Sequence, residues 1–141
     1  MCNEIKVLMT GAGAPGGPGI LKALLKEKSI TVHVADINPL ASGLLLHKKS
    51  HVIPSADDES FVNTILNLCI SENINVLFPL VTKELFKLSE HKILFESHGI
   101  KVLSSEKIIM DVLNDKASLL NHLKIHKIPH PEFLIAKNKV E

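Results

Sequence analysis

The sequence predicts an α/β fold, a Rossmann-like doubly wound parallel five-stranded sheet with helices on both faces, plus a C-terminal helix–strand extension. Two observations predict this class. Short apolar runs alternate with stretches of helical spacing, and a parallel sheet needs connections of helix length between its strands. The apolar runs are also continuous, as expected of strands that are buried on both faces.

Five short apolar runs, each bounded by polar or turn residues, are the predicted strands. They cover residues 5–9, 30–35, 52–53, 76–78 and 102–103. In the connections between them, apolar residues recur at the spacing of a helix. These residues are Ile20, Leu21, Leu24 and Leu25, then Phe61, Ile65, Leu68 and Cys69, then Leu85, Leu88, Ile93 and Leu94.

Local signals complete the elements. A further short helix is predicted over residues 39–47. Residues 57–59 and 104–106 are interpreted as helix N-terminal caps, and Gly99 as the end of a helix.

The pattern changes after the fifth strand. It predicts a short helix over residues 106–113, a helix over about 117–127 and a final strand over 133–136. The last two are separated by two prolines, which stop a helix and extend the backbone. We therefore predict a Rossmann-like domain over residues 1–113 and the truncated beginning of a second domain over residues 114–141.

Composition argues against several classes of function. The 141-residue chain has a formal net charge of +1, and all 16 of its basic residues are Lys. Because it lacks Arg, Trp and Tyr, which commonly grip phosphates and stack on bases, nucleic-acid binding is not expected. No bilayer-length apolar span or signal-peptide pattern is present, so neither membrane insertion nor secretion is expected. Cys2 and Cys69 predict no disulfide framework, which favours the cytoplasm, and Cys69 is interpreted as a core residue.

A glycine-rich loop over residues 10–19 joins the first strand to the first helix. Gly11, Gly13 and Gly16 have the spacing of the dinucleotide fingerprint, and Asp36 ends the second strand, where a ribose-binding acid would lie. Two prolines in the loop, however, each remove an amide donor. Two interpretations stay open: a free-standing Rossmann module that binds NAD or another nucleotide, or a turn that only lets the first helix pack on the sheet.

Short motifs follow one another along nearly the whole chain. They are Thr-Gly-Ala-Gly-Ala-Pro-Gly-Gly at 10–17, Ala-Asp-Ile-Asn-Pro at 35–39, His-Val-Ile-Pro at 51–54, Val-Leu-Phe-Pro at 76–79, Thr-Lys-Glu-Leu at 82–85, Asn-Asp-Lys at 114–116 and Ile-Pro-His-Pro at 128–131. In order and spacing they resemble the N-terminal, preATP-grasp domain of ATP-grasp enzymes. The likeness is greatest to short proteins similar to the carbamoyl-phosphate synthase large subunit.

The resemblance implies the substrate-side domain of an ATP-dependent ligase, which activates a small-molecule carboxylate and joins it to an amine or similar nucleophile. By resemblance, Lys116 contacts ATP phosphate, although a solvated lysine at a helix start is an equal interpretation. The carboxyl edge of the sheet should form the substrate wall, because ligands of doubly wound sheets bind there. The residues assigned to this wall are Gly11, Gly13, Gly16, Asp36, Thr82 and Glu84.

The resemblance also implies a partner, an ATP-grasp domain that supplies the adenine pocket and the Mg²⁺ ligands. As given, the chain is therefore expected to be incomplete as a ligase, with no catalytic residue of its own and with ATP and Mg²⁺ bound only in a full-length enzyme. A non-catalytic fragment that docks on a partner is a third interpretation, and a homodimer stays open.

Histidines offer the remaining candidate chemistry. His122, His126 and His130 have a spacing that zinc sites use, but leucine and isoleucine surround them and no carboxylate or thiol lies nearby, so no metal site is predicted. His33 is interpreted as a packed or hydrogen-bonded side chain. The histidines at 47, 51, 91 and 98 are interpreted as surface residues. No nucleophile assembly is predicted.

Overall fold

A computed structural model describes residues 4–136, so Cys2 and the last five residues lie outside it. The chain divides after Ser104 into two compact units. The sequence places its boundary later, after Leu113. Each unit is described by itself.

The first unit is built on a parallel sheet. Its strands are β1 (Ile5–Thr10), β2 (Ile30–Asp36), β3 (Ser50–Val52), β4 (Val76–Pro79) and β5 (Lys101–Val102), in the order β3-β2-β1-β4-β5. Every neighbouring pair is parallel. The chain runs outward from β1 first on one side and then on the other, so the point where the strand order reverses lies between β1 and β4. The predicted Rossmann-like fold is confirmed.

Helices cover both faces of this sheet. They are α1 (Gly17–Leu24), α2 (Ser42–Leu45), α3 (Phe61–Ser71), α4 (Thr82–Glu90) and α5 (Lys92–Ser97). Successive residues of a strand point to opposite faces. Met9 accordingly packs with α1 and α2, whereas Leu8 packs with α3, α4 and α5.

Two predicted boundaries are wrong in detail. The single helix expected from Leu85 to Leu94 is two helices, α4 and α5, which meet at His91. The third strand begins at Ser50 rather than at Val52, because the backbone of residues 50–52 is what pairs with β2. Gly99 does end α5, as predicted: it adopts a φ of 75°, and the next amide, of Ile100, donates to the carbonyl of Phe95.

The predicted caps are also corrected. Asp58 Oδ1 accepts from the backbone amide and hydroxyl of Ser60, at 2.8 Å and 2.7 Å, so it closes the turn before α3. The helix itself begins without a side-chain cap. The helix that follows β5 also begins without a side-chain cap, although residues 104–106 were expected to supply one.

The second unit contains α6 (Lys107–Leu113) and α7 (Lys116–Ile125). The Asp115 carboxylate caps α7 by accepting from the Ser118 amide at 2.6 Å. The strand predicted over residues 133–136 is not formed. A strand is defined by pairing, and no other strand lies among the described residues of this unit. Over residues 4–136, no helix combines the length and apolarity needed to cross a bilayer.

Candidate functional site

A cavity of about 590 Å³ opens at the carboxyl edge of the sheet, beside the point where the strand order reverses. Its walls come from the loops that follow β1, β2, β3 and β4. The lining residues are Gly11, Gly13, Ala14, Asp36, Ile37, Asn38, Leu40, Ala41, Ser42, Ser55, Ala56, Asp57, Val81, Lys83 and Glu84. Four of the six predicted substrate-binding residues, Gly11, Gly13, Asp36 and Glu84, therefore lie around one cavity.

The backbone amides of the glycine-rich loop bond mostly within the protein. The amide of Ala12 donates to the Ala35 carbonyl at 3.1 Å, and the amides of Ala14 and Gly17 close turns within the loop, at 2.9 Å and 2.8 Å. Pro15 has no amide hydrogen. A phosphate cradle needs several free amides that converge on one point, and this loop has used these donors elsewhere.

Asp36 connects this loop to the end of β2. Its Oδ2 accepts from the Gly13 amide at 2.7 Å, and its Oδ1 accepts from the Asn38 amide at 2.9 Å. The side chain is buried. Because both oxygens are bonded to backbone amides, Asp36 fixes the shape of the cavity wall rather than presenting a free carboxylate.

The loop glycines are required by the protein's own packing. A Cβ at Gly13 would lie 2.8 Å from the Ala41 Cβ, and one at Gly11 would lie 2.5 Å from Val81 Cγ2. Gly11 also has a φ of 68°, which side-chain-bearing residues rarely adopt. These contacts explain two glycines of the fingerprint without a bound dinucleotide.

Glu84 is the buried acid of the cavity, with only 3% of its surface exposed. It is the third residue of α4. The Thr10 hydroxyl, at the end of β1, donates to its Oε2 at 2.6 Å. Burial raises the pKa of Glu84, the Thr10 hydrogen bond opposes that rise, and the nearby charge of Asp36 adds to it. The other oxygen, Oε1, has no hydrogen-bond partner among the described residues.

An exposed ion pair lies at the rim. Lys83 Nζ donates to Asp57 Oδ2 at 2.7 Å, and more than two thirds of each side chain is exposed. Lys83 is the single cation among the described lining residues. The buried part of the cavity therefore carries carboxylates without a buried positive charge.

The remaining predicted site residues lie elsewhere. Gly16 precedes α1 with a φ of 89° and does not line the cavity. Thr82 is the exposed first residue of α4. Ser104 and Ser105 are not among the lining residues either. Lys116 is the exposed first residue of α7, in the second unit.

Sequence reasoning missed Thr10 and interpreted Asp57 only as a cap. A signal for Thr10 was present, because it ends β1 in register with Pro79, a few residues before Glu84. Adjacent parallel strands end at the same edge of a sheet, so a hydroxyl after one strand meets the first turn of the helix after the other.

The histidines and Cys69 are separate from the cavity. His33 is packed, as predicted: it is buried, and its Nδ1 lies 3.2 Å from Nε2 of His51. His47, His51 and His91 are half-buried rather than on the surface, whereas His98 is exposed. Cys69 is fully buried, as predicted, and burial raises its pKa to about 12. No group of three or more potential metal ligands occurs within residues 4–136.

Asp36→Asn is expected to lower the free energy of unfolding by about 1–3 kcal/mol, because an amide nitrogen would replace one of the two buried oxygens that accept from the Gly13 and Asn38 amides. Asp57→Asn provides the control, since it removes an exposed ion pair whose contribution is about 0–1 kcal/mol. Urea unfolding measures both. Equal losses for the two variants would contradict the bridging role of Asp36.

Comparison with known proteins gives both a family and a fold. A family model described as the PylC-like N-terminal domain matches residues 7–103. No curated protein matches. Solved structures match as well, and three of them align over 88% of this chain. One is the biotin carboxylase subunit of pyruvate carboxylase, with a TM-score of 0.62 and 18% identity. The others are the biotin carboxylase domain of a thermophilic 2-oxoglutarate carboxylase bound to bicarbonate (0.63, 19%) and the Hydrogenobacter thermophilus 2-oxoglutarate carboxylase biotin carboxylase domain dimer in complex with MgADP, ADP and bicarbonate (0.62, 18%). The chain spans 28% of each matched chain, and at these identities the likeness is one of fold.

Proposed function

The chain belongs to the family of PylC-like N-terminal domains, which are of the preATP-grasp type, and from this membership we propose that it is the substrate-side domain of a longer ATP-dependent ligase. The family match over residues 7–103 is the observation that carries the proposal. In the proposed reaction ATP converts a carboxylate into an acyl phosphate, and an amine or similar nucleophile then displaces the phosphate. A carbamoyl-phosphate-synthase-like form of this reaction is the finer version of the proposal.

The cavity at the carboxyl edge is the proposed substrate wall. Asp36 holds the glycine-rich loop in place through Gly13, and Glu84 supplies a buried acceptor. We assign Lys116 to an ATP phosphate. The ATP-grasp domain that completes the enzyme would hold Mg²⁺, which neutralises phosphate charge in such reactions. A cytoplasmic location and a homodimer stay predictions from the sequence.

The geometry favours this role over a nicotinamide-binding module. Asp36 is buried, and each of its oxygens already accepts from one backbone amide, so fewer of its lone pairs remain for the hydroxyls of a ribose. The amides of Ala12, Ala14 and Gly17 are bonded within the protein. The spacing of the glycines is that of the fingerprint, but the Gly13 amide also donates within the protein, to Asp36.

Calorimetric titration tests the proposal. We expect no saturable binding of NADH to the 141-residue chain, and binding of MgATP once the ATP-grasp domain is present in the same protein. Lys116→Ala should then weaken MgATP binding about tenfold, or about 1.4 kcal/mol, because a cation at the phosphate is lost. Lys124→Ala, in the same helix, should leave the affinity unchanged. Micromolar binding of NADH that is lost in Asp36→Asn would overturn the ligase proposal.

A further inference from the structure

We propose that the cavity binds the ammonium group of an amine-bearing substrate with an aliphatic stem, and that Glu84 Oε1 is the acceptor. This inference rests on the proposed function, since it assigns the amine-bearing end of a substrate to this domain.

An unfilled acceptor is the first support. Glu84 is 97% buried, and the Thr10 hydroxyl bonds to only one of its oxygens. Oε1 is not a fully buried atom without a partner: it stays open to the cavity, where water or a ligand can donate to it. Because Glu84 lines the cavity, a donor carried by a ligand can reach the oxygen that the protein leaves without a partner.

The distribution of charge selects the kind of donor. Two buried carboxylates, Asp36 and Glu84, lie close enough for the charge of Asp36 to act on Glu84. Of the described lining residues only Lys83 is a cation, and Asp57 neutralises it at the rim. A carboxylate ligand would therefore add a like charge to the buried part of the cavity. An ammonium ion would instead compensate the charge of Glu84.

The walls indicate the rest of the ligand. Leu40, Ala41 and Val81 give the cavity apolar surface, which suits a short alkyl stem. A divalent cation fits less well, because Mg²⁺ and Ca²⁺ need about six oxygen ligands and Asp36 is already committed to two backbone amides. The site is thus matched to an alkylamine.

Titration of the ¹⁵N-labelled 141-residue chain with n-pentylamine, followed by NMR, tests the assignment. We expect saturable shifts at the amides of Gly11, Gly13 and Glu84, and none with pentanoate, a carboxylate of similar length. Glu84→Gln should weaken binding of n-pentylamine at least tenfold, because the charge is lost while the shape is kept. Glu59→Gln, which removes the same charge from an exposed position outside the cavity, should leave the affinity unchanged.

Glu84→Gln should weaken binding of the amine but increase the stability of the protein. Since burial raises the pKa of Glu84, the free energy of unfolding of the wild type should fall as the pH rises above the ordinary carboxyl value of 4.5. Glu84→Gln removes that loss, and its amide oxygen can still accept from Thr10. It should therefore unfold at a higher temperature than the wild type at pH 7. A carboxylate kept only for structure would give a less stable variant.

Three results of the binding titrations would also overturn the inference: binding of pentanoate at least as tight as that of n-pentylamine, binding of n-pentylamine that Glu84→Gln leaves unchanged, or no shifts at all with the amine. None of them bears on the ligase proposal, which depends on the NADH and MgATP titrations. Micromolar NADH binding, conversely, would remove the ligase role whatever the alkylamine does.

Discussion

Gly43→Ala is expected to lower the free energy of unfolding by about 3 kcal/mol, because α2 packs directly on the backbone of the glycine-rich loop. A Cβ at Gly43 would lie 2.6 Å from the Ala12 Cβ and 2.8 Å from the Ala12 carbonyl carbon, and it would also meet the carbonyl oxygen. These atoms belong to the backbone or are fixed to it, so no side-chain rotation relieves the overlap. The overlap must therefore displace the backbone of Ala12. Since Ala12 lies between Gly11 and Gly13, this displacement also changes the cavity wall.

Gly19→Ala is the matched control. Gly19 lies in α1, and no atom comes within 4 Å of a Cβ built there. Alanine is the better helix former by about 0.5–1 kcal/mol, so this variant should be more stable than the wild type. Helix propensity alone predicts the same sign for Gly43, and urea unfolding of both variants therefore separates packing from propensity. A gain in stability for Gly43→Ala would contradict the tight contact with Ala12.

The order of elements in the first unit could be predicted because each strand and helix has its own local sequence pattern. A continuous apolar run such as that of β1 is compatible with burial on both faces of a sheet, and helix-length connections exclude a simple meander. The right-handed crossover rule then leaves few topologies to choose from. The observed order, with β1 at the centre, is one of them.

The site could be predicted only in part, because its decisive contacts join distant residues. The spacing of Gly11, Gly13 and Gly16 describes a turn, but whether the amides are free for a phosphate depends on contacts that only the folded chain shows. Asp36 accepts from the amide of Gly13, 23 positions away in the sequence, and Thr10 donates to Glu84, 74 positions away. No local pattern encodes these pairings.

The prediction of the α4–α5 region was wrong for a different reason, which is the choice of the buried face. Leu88 and Phe95 are fully buried, whereas 83% of Ile93 is exposed. Within α5, Ile93 and Phe95 are two positions apart, which places their side chains on roughly opposite faces of the helix. The apolar residue that belonged to the face was Phe95, which the predicted spacing left out.

A pair of truncations in α5 tests this choice of face and carries the largest expected effect. Phe95→Ala should lower the free energy of unfolding by about 3–5 kcal/mol, because it leaves a cavity in the cluster that α3, α4 and α5 form against the sheet. Ile93→Ala, two positions earlier in the same helix, should change it by no more than about 0.5 kcal/mol, since its side chain is in solvent. Urea unfolding followed by circular dichroism measures both. If α5 instead presented Ile93 to the sheet, Ile93→Ala would cause the large loss and Phe95→Ala the small one. That result would mean that α5 packs on its other face beside α4, the helix that carries Glu84.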